Sequence, residues 1–464
     1  MIKNLLRKKI VTDESSKDLH RCLTAFDLVM LGIGCIIGTG IFVLTGIVAA
    51  NQAGPGVIFS FLIAGFACAF AALSYAELSS SIGGCGSAYG YSYVAFGEFI
   101  AWIVGWILLL EYGIAIAAVA NGWSGYFNNA LIAVGLGLPE FLTKPPAKNG
   151  IINLPASIII LMIMGLLILG VKQSAKFNAA MVFLKVSAIG IFIFVALFHV
   201  NPENWSPLLP YGWFETLPSG KTVGVLAGAS IVFFAYIGFD AVSTAAEEAI
   251  NPQKDLPIGI IGSLIFCTLI YIIVAALLTG IVPYTNLNVS SPVAFALQKI
   301  GLNSASAIVA TGVIAGLTTV MLVLYYALTR IILAMSRDGL LPKQLNKINK
   351  STKTPIRVIL VCGFIMALIA GFVSLGTLAE IVNIGTLSAF IVVCCGVIAL
   401  RHHGNKSKYV YKNKWHPLVP VMGIVTCTLL MTFLPLDTWI RFLSWMSIGI
   451  IFYFIYSYKH SKLN

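Results

Sequence analysis

Apolar stretches long enough to cross a bilayer recur from residue 27 to residue 457, and they dictate what this chain can become. A helix needs about 20 apolar residues to traverse the hydrocarbon. Such stretches fall at 27–50, 57–79, 97–127, 151–171, 177–200, 223–249, 257–282, 305–337, 356–374, 377–400, 417–434 and 438–457. Two of them exceed the bilayer and are expected to tilt or run on into water. Of the 464 residues, 59% are hydrophobic and only 10% charged, against about 25% charged in a soluble domain. So few charges cannot clothe a soluble surface. The expected fold class is an all-α integral membrane protein with twelve transmembrane helices. Residues 1–26 form a polar N-terminal segment without the apolar core of a signal peptide. A single membrane domain covers 27–457, and 458–464 form a short tail.

A net charge of +12 would point to nucleic acid in a soluble protein. Here the basic residues sit in the connections, so no nucleic-acid partner is expected. With the N-terminus inside, 22 of the 29 Lys and Arg residues fall on the inner side. Five (Lys144, Lys148, Lys221, Lys299, Arg441) fall outside, and Lys185 and Arg330 lie within spans. That asymmetry puts both termini in the cytoplasm and favours an even number of spans in a plasma (inner) membrane. The nine cysteines include no CxxC and most lie inside apolar segments. Neither a disulfide framework nor a metal site is expected. The one histidine pair, His402 and His403, sits in a Lys-rich loop and reads as solvated.

Two spans are unlike the rest. The first contains Gly32, Gly34, Gly38 and Gly40 within nine residues near its middle, and each glycine weakens a helix by about 1 kcal/mol relative to Ala. The sixth contains Phe233-Phe234-Ala235-Tyr236-Ile237-Gly238-Phe239-Asp240, a glycine and a carboxylate at mid-span. Small residues also serve close helix packing, and Gly34 and Gly38 fit that spacing. Interruptions at corresponding places in two halves, however, point to a transporter binding site. Spans 1–5 (27–200) and 6–10 (223–400) would be inverted repeats, with the last two helices (417–457) appended. A broken helix inside a membrane must line a cavity, because lipid cannot satisfy the freed backbone. Freed N–H groups around Gly38, Thr39 and Gly40 favour an anion. Freed carbonyls around Phe233, Ala235 and Ile237 favour a cation. One site with both suits a zwitterion.

The run Gly34-Cys35-Ile36-Ile37-Gly38-Thr39-Gly40-Ile41-Phe42 resembles the substrate-binding segment of amino acid–polyamine–organocation transporters. So do Tyr75-Ala76-Glu77-Leu78, Gly86-Ser87-Ala88-Tyr89, Glu111-Tyr112 and the run from Phe239 to Glu248. Asn251-Pro252, Met335 to Pro342 and Glu380 to Leu387 complete the match, in order, over nearly the whole chain. The branch most resembled is that of the cationic amino acid transporters and their bacterial relatives. The resemblance implies a LeuT-like fold of five-plus-five inverted repeats with two extra helices. It implies a secondary transporter working by alternating access, with amino acids as substrates and a proton, rather than a cofactor, as coupling partner. A facilitative exchanger and a polyamine or cationic amino acid permease are the alternatives. By the resemblance, amides near Thr39 and Gly40 hold the substrate carboxylate, and the backbone at Ile37, Phe233, Ala235 and Ile237 holds its amino group. Phe234 or Tyr236 caps the substrate. Lys185 matches a lysine that replaces a sodium ion in some proton-dependent relatives.

Ionisable groups at mid-bilayer cost at least about 2.5–3.5 kcal/mol and by default mark function. Lys185 lies nine residues into span 5 from Lys176, roughly 13 Å deep at 1.5 Å per residue. It either carries the coupling proton or permanently pins span 5 to span 1. Glu111 and Asp240 could each contact a substrate side chain. Glu111 could equally accept hydrogen bonds from backbone, and Asp240 could brace the unwound segment. Glu77, Glu247, Glu248, Arg21, Arg330, Arg337 and Asp338 lie near the inner face, as gating pairs or as solvated helix ends. In span 8, Thr318, Thr319, Val320, Met321 and Val323 are expected at the site. An inward Met321 would shorten the pocket and favour small neutral amino acids, whereas an ionised, exposed Glu111 would favour lysine or arginine. A channel would need a filter-like loop, and an enzyme a catalytic constellation. The sequence contains no HExxH, GxSxG or P-loop. Oligomeric state is not legible.

Overall fold

Every expected span falls on helix, and among the described residues the only strands are one short hairpin. The computed structural model describes residues 7–8, 22–82, 87–170, 175–218, 220, 222–246, 248–349, 352, 354–402 and 415–463. Helix α1 (Ala25–Ile36) opens at Thr24 with a reciprocal capping box: the Thr24 hydroxyl accepts from the Asp27 N–H, and the Asp27 carboxylate accepts from the Thr24 N–H. After an interruption the first span resumes through a π-helical turn (Gly40–Leu44), α2 (Thr45–Val48) and a second such turn (Ala49–Ala53). Then come α3 (Val57–Ser81), α4 (Ala88–Ala95), α5 (Glu98–Ala133), α6 (Leu154–Ile168) and α7 (Ala175–Leu197). Strands β1 (Glu215–Thr216) and β2 (Thr222–Val223) pair antiparallel in the connection that follows. The sixth span starts as α8 (Val225–Val232) and breaks. The chain continues through α9 (Pro252–Ile281), α10 (Pro292–Lys299), α11 (Asn303–Arg337), α12 (Ile356–Phe372) and α13 (Leu375–His402). It closes with α14 (Leu418–Thr432), α15 (Leu436–Phe452) and a terminal turn, α16 (Tyr458–His460).

Among the described residues, eight helical stretches are by length and composition long and apolar enough to cross a membrane, and four shorter apolar helices (α1, α6, α12, α14) accompany them. The first of the eight, Gly40–Ser80, runs the second half of span 1 into span 2. Helix α5 extends past residue 127 to Ala133 and stops two residues before Gly135, whose φ of +77° ends it. Burial separates centre from periphery. In Val225–Ser243 and Glu98–Ala133, 89% and 83% of the apolar window is buried, against 33% in Phe177–Leu197 and 22% in Leu436–His460. Spans 3 and 6 therefore form the middle of the bundle. Helices α7 and α15 instead turn Phe183, Phe194, Leu443 and Ile451 outward, an apolar exterior of the kind a membrane covers.

Both ends of the described chain meet at the start of α5. The Glu98 N–H donates to the Arg7 carbonyl (3.0 Å). The buried Glu98 carboxylate accepts from the hydroxyls of Tyr93 (3.3 Å), Tyr453 (3.1 Å) and Ser461 (2.5 Å). The Ser457 hydroxyl donates to the Leu340 carbonyl, and the Lys462 N–H to that of Asp338 (3.1 Å). The Asp338 side chain in turn accepts from Tyr89 of α4 (2.8 Å). Three buried hydroxyls share one acceptor, and a buried hydroxyl left stranded costs about 1–3 kcal/mol. Glu98→Ala is therefore expected to lower the melting temperature of the purified protein by several degrees, with Glu98→Gln falling between it and the parent.

Of the charges expected at the inner face, Glu77 pairs with Arg401 (2.5 Å) and Glu248 with Arg330 (3.3 Å). The Arg401 guanidinium grips both oxygens of Glu77, which is 1% exposed. Asp338 is held by Tyr89 as above. Glu247, Arg21 and His403 lie outside the described residues.

Candidate functional site

The two glycine-marked interruptions meet. Helix α1 ends at Ile36, and Ile37 is extended (φ −72°, ψ 96°) before helix resumes at Gly40. In span 6, α8 passes into a 3-10 turn (Phe233–Tyr236), Ile237 is extended (φ −63°, ψ 134°), Gly238 takes φ +119°, and a second 3-10 turn (Asp240–Ala245) follows. Glycine is required at both contacts. A Cβ on Gly40 would overlap the Ala235 Cα, and one on Gly238 would sit 2.9 Å from the Cys35 carbonyl carbon. Each broken segment thus lies on the backbone of the other.

Side chains from outside the breaks satisfy most of the freed carbonyls. Lys185 of α7, fully buried, donates to Gly34 (2.5 Å) and Ile37 (3.1 Å). Its stem runs beside Gly316 of α11, where a Cβ would lie 3.1 Å from Lys185 Cβ. Among the described residues no carboxylate pairs with it. The Tyr271 hydroxyl of α9 lies 2.8 Å from both the Ile36 and the Ala235 carbonyl. Asn383 of α13 donates to Ser230 (2.7 Å) and Ile231 (3.0 Å), and Tyr126 of α5 to Phe42 (2.8 Å). The groups left over include three at the crossing. Among the described residues no carbonyl accepts the N–H of Gly38 or Thr39, and no donor reaches the Ile237 carbonyl. In a dry interior such groups are costly unless something else pairs with them.

All three residues line one small, partly open cavity. Its wall is Cys35, Ile36, Gly38, Thr39 and Gly40 from span 1, Phe234 and Ile237 from span 6, Ala115 and Val119 from α5, and Val320 and Leu324 from α11. It contains no ionisable side chain other than the Cys35 thiol. Of the residues singled out by sequence, Gly38, Thr39, Gly40, Phe234, Ile237 and Val320 are on this wall. Ile37 faces Lys185 through its carbonyl, Ala235 lies under Gly40, and Phe233 packs on Phe390 (ring centroids 5.8 Å apart). Tyr236 turns away and donates to the Phe61 carbonyl (2.8 Å). Glu111, Asp240 and Met321 are buried but off the wall. Thr318 accepts from the Trp123 indole (3.0 Å), and Thr319 bonds back to Gly316. Sequence reasoning missed Cys35, Ile36, Ala115, Val119 and Leu324. The i,i+4 pairs 115/119 and 320/324 carry the signal, a small or aliphatic stripe on one helix face, but many stripes in an apolar chain look the same.

A family model described as amino acid permease matches residues 23–455. The chain belongs to the amino acid permease family. The permease is similar over 99% of both chains to a methylthioribose transporter (49% identical) and to a branched-chain amino acid permease (47% identical), both of Bacillus subtilis (strain 168). It is 38% identical to the vacuolar cationic amino acid transporter 4 of Arabidopsis thaliana, over 86% of this chain and 67% of that one. Family and relatives alike are multi-span membrane transporters, not enzymes.

Proposed function

We propose that this permease is a secondary transporter that carries neutral, aliphatic amino acids by alternating access around the crossing of its two broken spans. The observation that carries this reading is the unpaired N–H groups of Gly38 and Thr39 and the unpaired Ile237 carbonyl, all on one apolar cavity wall. The N–H groups suit an α-carboxylate and the carbonyl an α-ammonium. Ala115, Val119, Phe234, Val320 and Leu324 suit an aliphatic side chain, and no carboxylate on the wall awaits a cationic one. The branched-chain amino acid permease among the relatives supports the same substrate class.

A LeuT-like arrangement with twelve spans is part of the proposal. The breaks fall at Ile37-Gly38 and Ile237-Gly238, in spans 1 and 6. Span 5 serves the first through Lys185, and span 10 serves the second through Asn383. Short helices α4 and α10 occupy the matching connections, 2–3 and 7–8. Two inverted five-span repeats account for all of these pairings. The basic residues of the connections put both termini in the cytoplasm. Lys185, whose ammonium holds the carbonyl end of α1, is the proposed carrier of a coupling proton, since its charge state bears directly on the shape of the break.

The second reading, favoured by the 49% identical relative, is uptake of methylthioribose, a neutral methylthio sugar. The test is uptake into proteoliposomes of labelled leucine, isoleucine, valine, alanine, lysine, arginine and methylthioribose, with and without an inward proton gradient. The aliphatic amino acids are expected to be taken up and lysine and arginine excluded. Uptake of methylthioribose alone would replace the amino acid reading with the second. Filling the cavity from its α5 side gives an independent check. Ala115→Leu is expected to cost about 1–3 kcal/mol of crowding, hence a roughly 10- to 100-fold rise in KM for leucine with a smaller rise for alanine.

A further inference from the structure

Helices α6 and α12 pack on each other, and both turn an apolar stripe outward. On α6 the stripe is Met162, Leu166 and Leu169, and on α12 it is Val361, Ile365 and Leu368. Steps of three or four residues keep each stripe on one helix face. Arg357, itself exposed, stands one turn before Val361, at the inner end of the α12 stripe. The two connections at that end are joined. The Thr354 hydroxyl donates to the Ile168 carbonyl (3.5 Å), and a Cβ on Gly170 would lie 2.8 Å from the Thr352 carbonyl oxygen. Lys343 and Lys347, both exposed, open and follow the 3-10 turn (Lys343–Asn346) that leads into this junction. Beside them Ile348 is exposed as well, an apolar side chain next to two cations.

Nothing negative answers these three cations. No Asp or Glu occurs in the sequence between Glu140 and Glu203, or between Asp338 and Glu380. Those two stretches contain both helices and both connections, and by sequence the connections also carry Lys172, Lys176, Lys350 and Lys353. Among the described residues no carboxylate pairs with Lys343, Lys347 or Arg357. Arg401 and Arg330, by contrast, have acidic partners in Glu77 and Glu248. A general excess of inner Lys and Arg orients a membrane chain. It does not require that uncompensated cations gather at the head of a lipid-facing apolar surface. An anionic phospholipid has the complementary layout, a phosphate at the boundary and chains running along the helices from it. Basic clusters at the cytoplasmic ends of spans suit such headgroups, and the arginine fork suits phosphate oxygens.

We propose that Lys343, Lys347 and Arg357 hold the phosphate of an anionic phospholipid of the inner leaflet, whose acyl chains lie along the exposed stripes of α6 and α12. The headgroup spans the connection that follows α6 and the one that precedes α12, and so adds a clamp where Thr354 and Ile168 already meet. Neither helix contributes to the cavity wall. The lipid therefore acts on the framework around the crossing and not on substrate recognition. This inference rests on the family's membrane setting and on the orientation of the chain, and is independent of which substrate is carried.

The test is titration of the purified protein in neutral detergent, read by native mass spectrometry, with phosphatidylglycerol, phosphatidylcholine and glycerol 3-phosphate as separate ligands. Phosphatidylglycerol is expected to bind and to raise the melting temperature, and the other two to do neither. A basic residue beside an anionic headgroup is worth about fivefold in affinity, so Lys343→Gln/Lys347→Gln/Arg357→Gln is expected to weaken phosphatidylglycerol binding about 100-fold. Lys8→Gln/Lys254→Gln/Lys459→Gln removes the same charge from exposed positions away from the junction. It is expected to weaken binding less than about threefold, since charges beyond a Debye length are screened. All six positions are exposed, so both variants are expected to fold. Equal losses in the two variants would mean that net charge, and not a site, attracts the lipid, and would overturn the proposal. Equal affinity for phosphatidylcholine would overturn it too, because the chains alone would then suffice. Tight binding of glycerol 3-phosphate would make the ligand a free anion and overturn the lipid.

Discussion

Lysine 185 replaced by alanine is expected to abolish amino acid uptake driven by a proton gradient. The change removes the donor that holds Gly34 and Ile37, the carbonyls at the end of α1. Each buried carbonyl left alone costs about 1–3 kcal/mol, and no other described donor reaches the Ile37 carbonyl. The break in span 1 would close up or shift, and with it the N–H groups of Gly38 and Thr39. If Lys185 only pinned two helices together, Lys185→Met, which keeps the bulk of the stem, would lower uptake with and without the gradient alike. If Lys185 carries the proton, Lys185→Met keeps exchange of unlabelled for labelled substrate while the gradient no longer accelerates uptake. Labelled uptake at imposed pH differences reads the two apart, and normal gradient-driven accumulation in Lys185→Ala would rule out the coupling role.

Alanine at position 40 is expected to be nearly as damaging, although it adds a single methyl group. The crossing of the two spans is a backbone-to-backbone contact there, with Gly40 on the Ala235 Cα. Nothing flexible can yield, so the two segments must separate. Overpacking of this kind costs about 1–3 kcal/mol, and the loss appears both as a lower melting temperature and as at least a tenfold fall in kcat/KM. Gly38→Ala is the matched control. The nearest atom to its added carbon is Val320 Cγ1 at 3.8 Å, an ordinary contact. Its methyl group lies at the cavity wall, so KM should rise while the melting temperature stays within about a degree. Equal melting temperatures for the two variants would mean that the crossing is looser than Gly40 and Ala235 indicate.

Much of the helical layout was legible because an apolar run of bilayer length leaves few alternatives. The breaks were legible for a local reason, clustered glycines beside a buried acid. What could not be read is what depends on distant partners. Glu98 and Ser461 are separated by 363 positions, and nothing in either neighbourhood announces the other. Helices α4 and α10 are too short to impose a period of their own. The cavity wall mixes both kinds. Gly38 and Ile237 could be named in advance, whereas Ala115, Val119 and Leu324 become special only once α5 and α11 are docked. Glu111 and Asp240 stood out in the sequence as charges near the substrate, yet neither is on the cavity wall, and Asp240 is held instead by the Tyr112 hydroxyl and the Gly238 N–H.

The junction at Glu98 has a practical bearing on how such a protein is handled. Residues 457–462 are stitched to α5 and to the turn after α11, so this segment is part of the bundle's masonry. Disturbing it would tug on Asp338 and, through Tyr89, on α4.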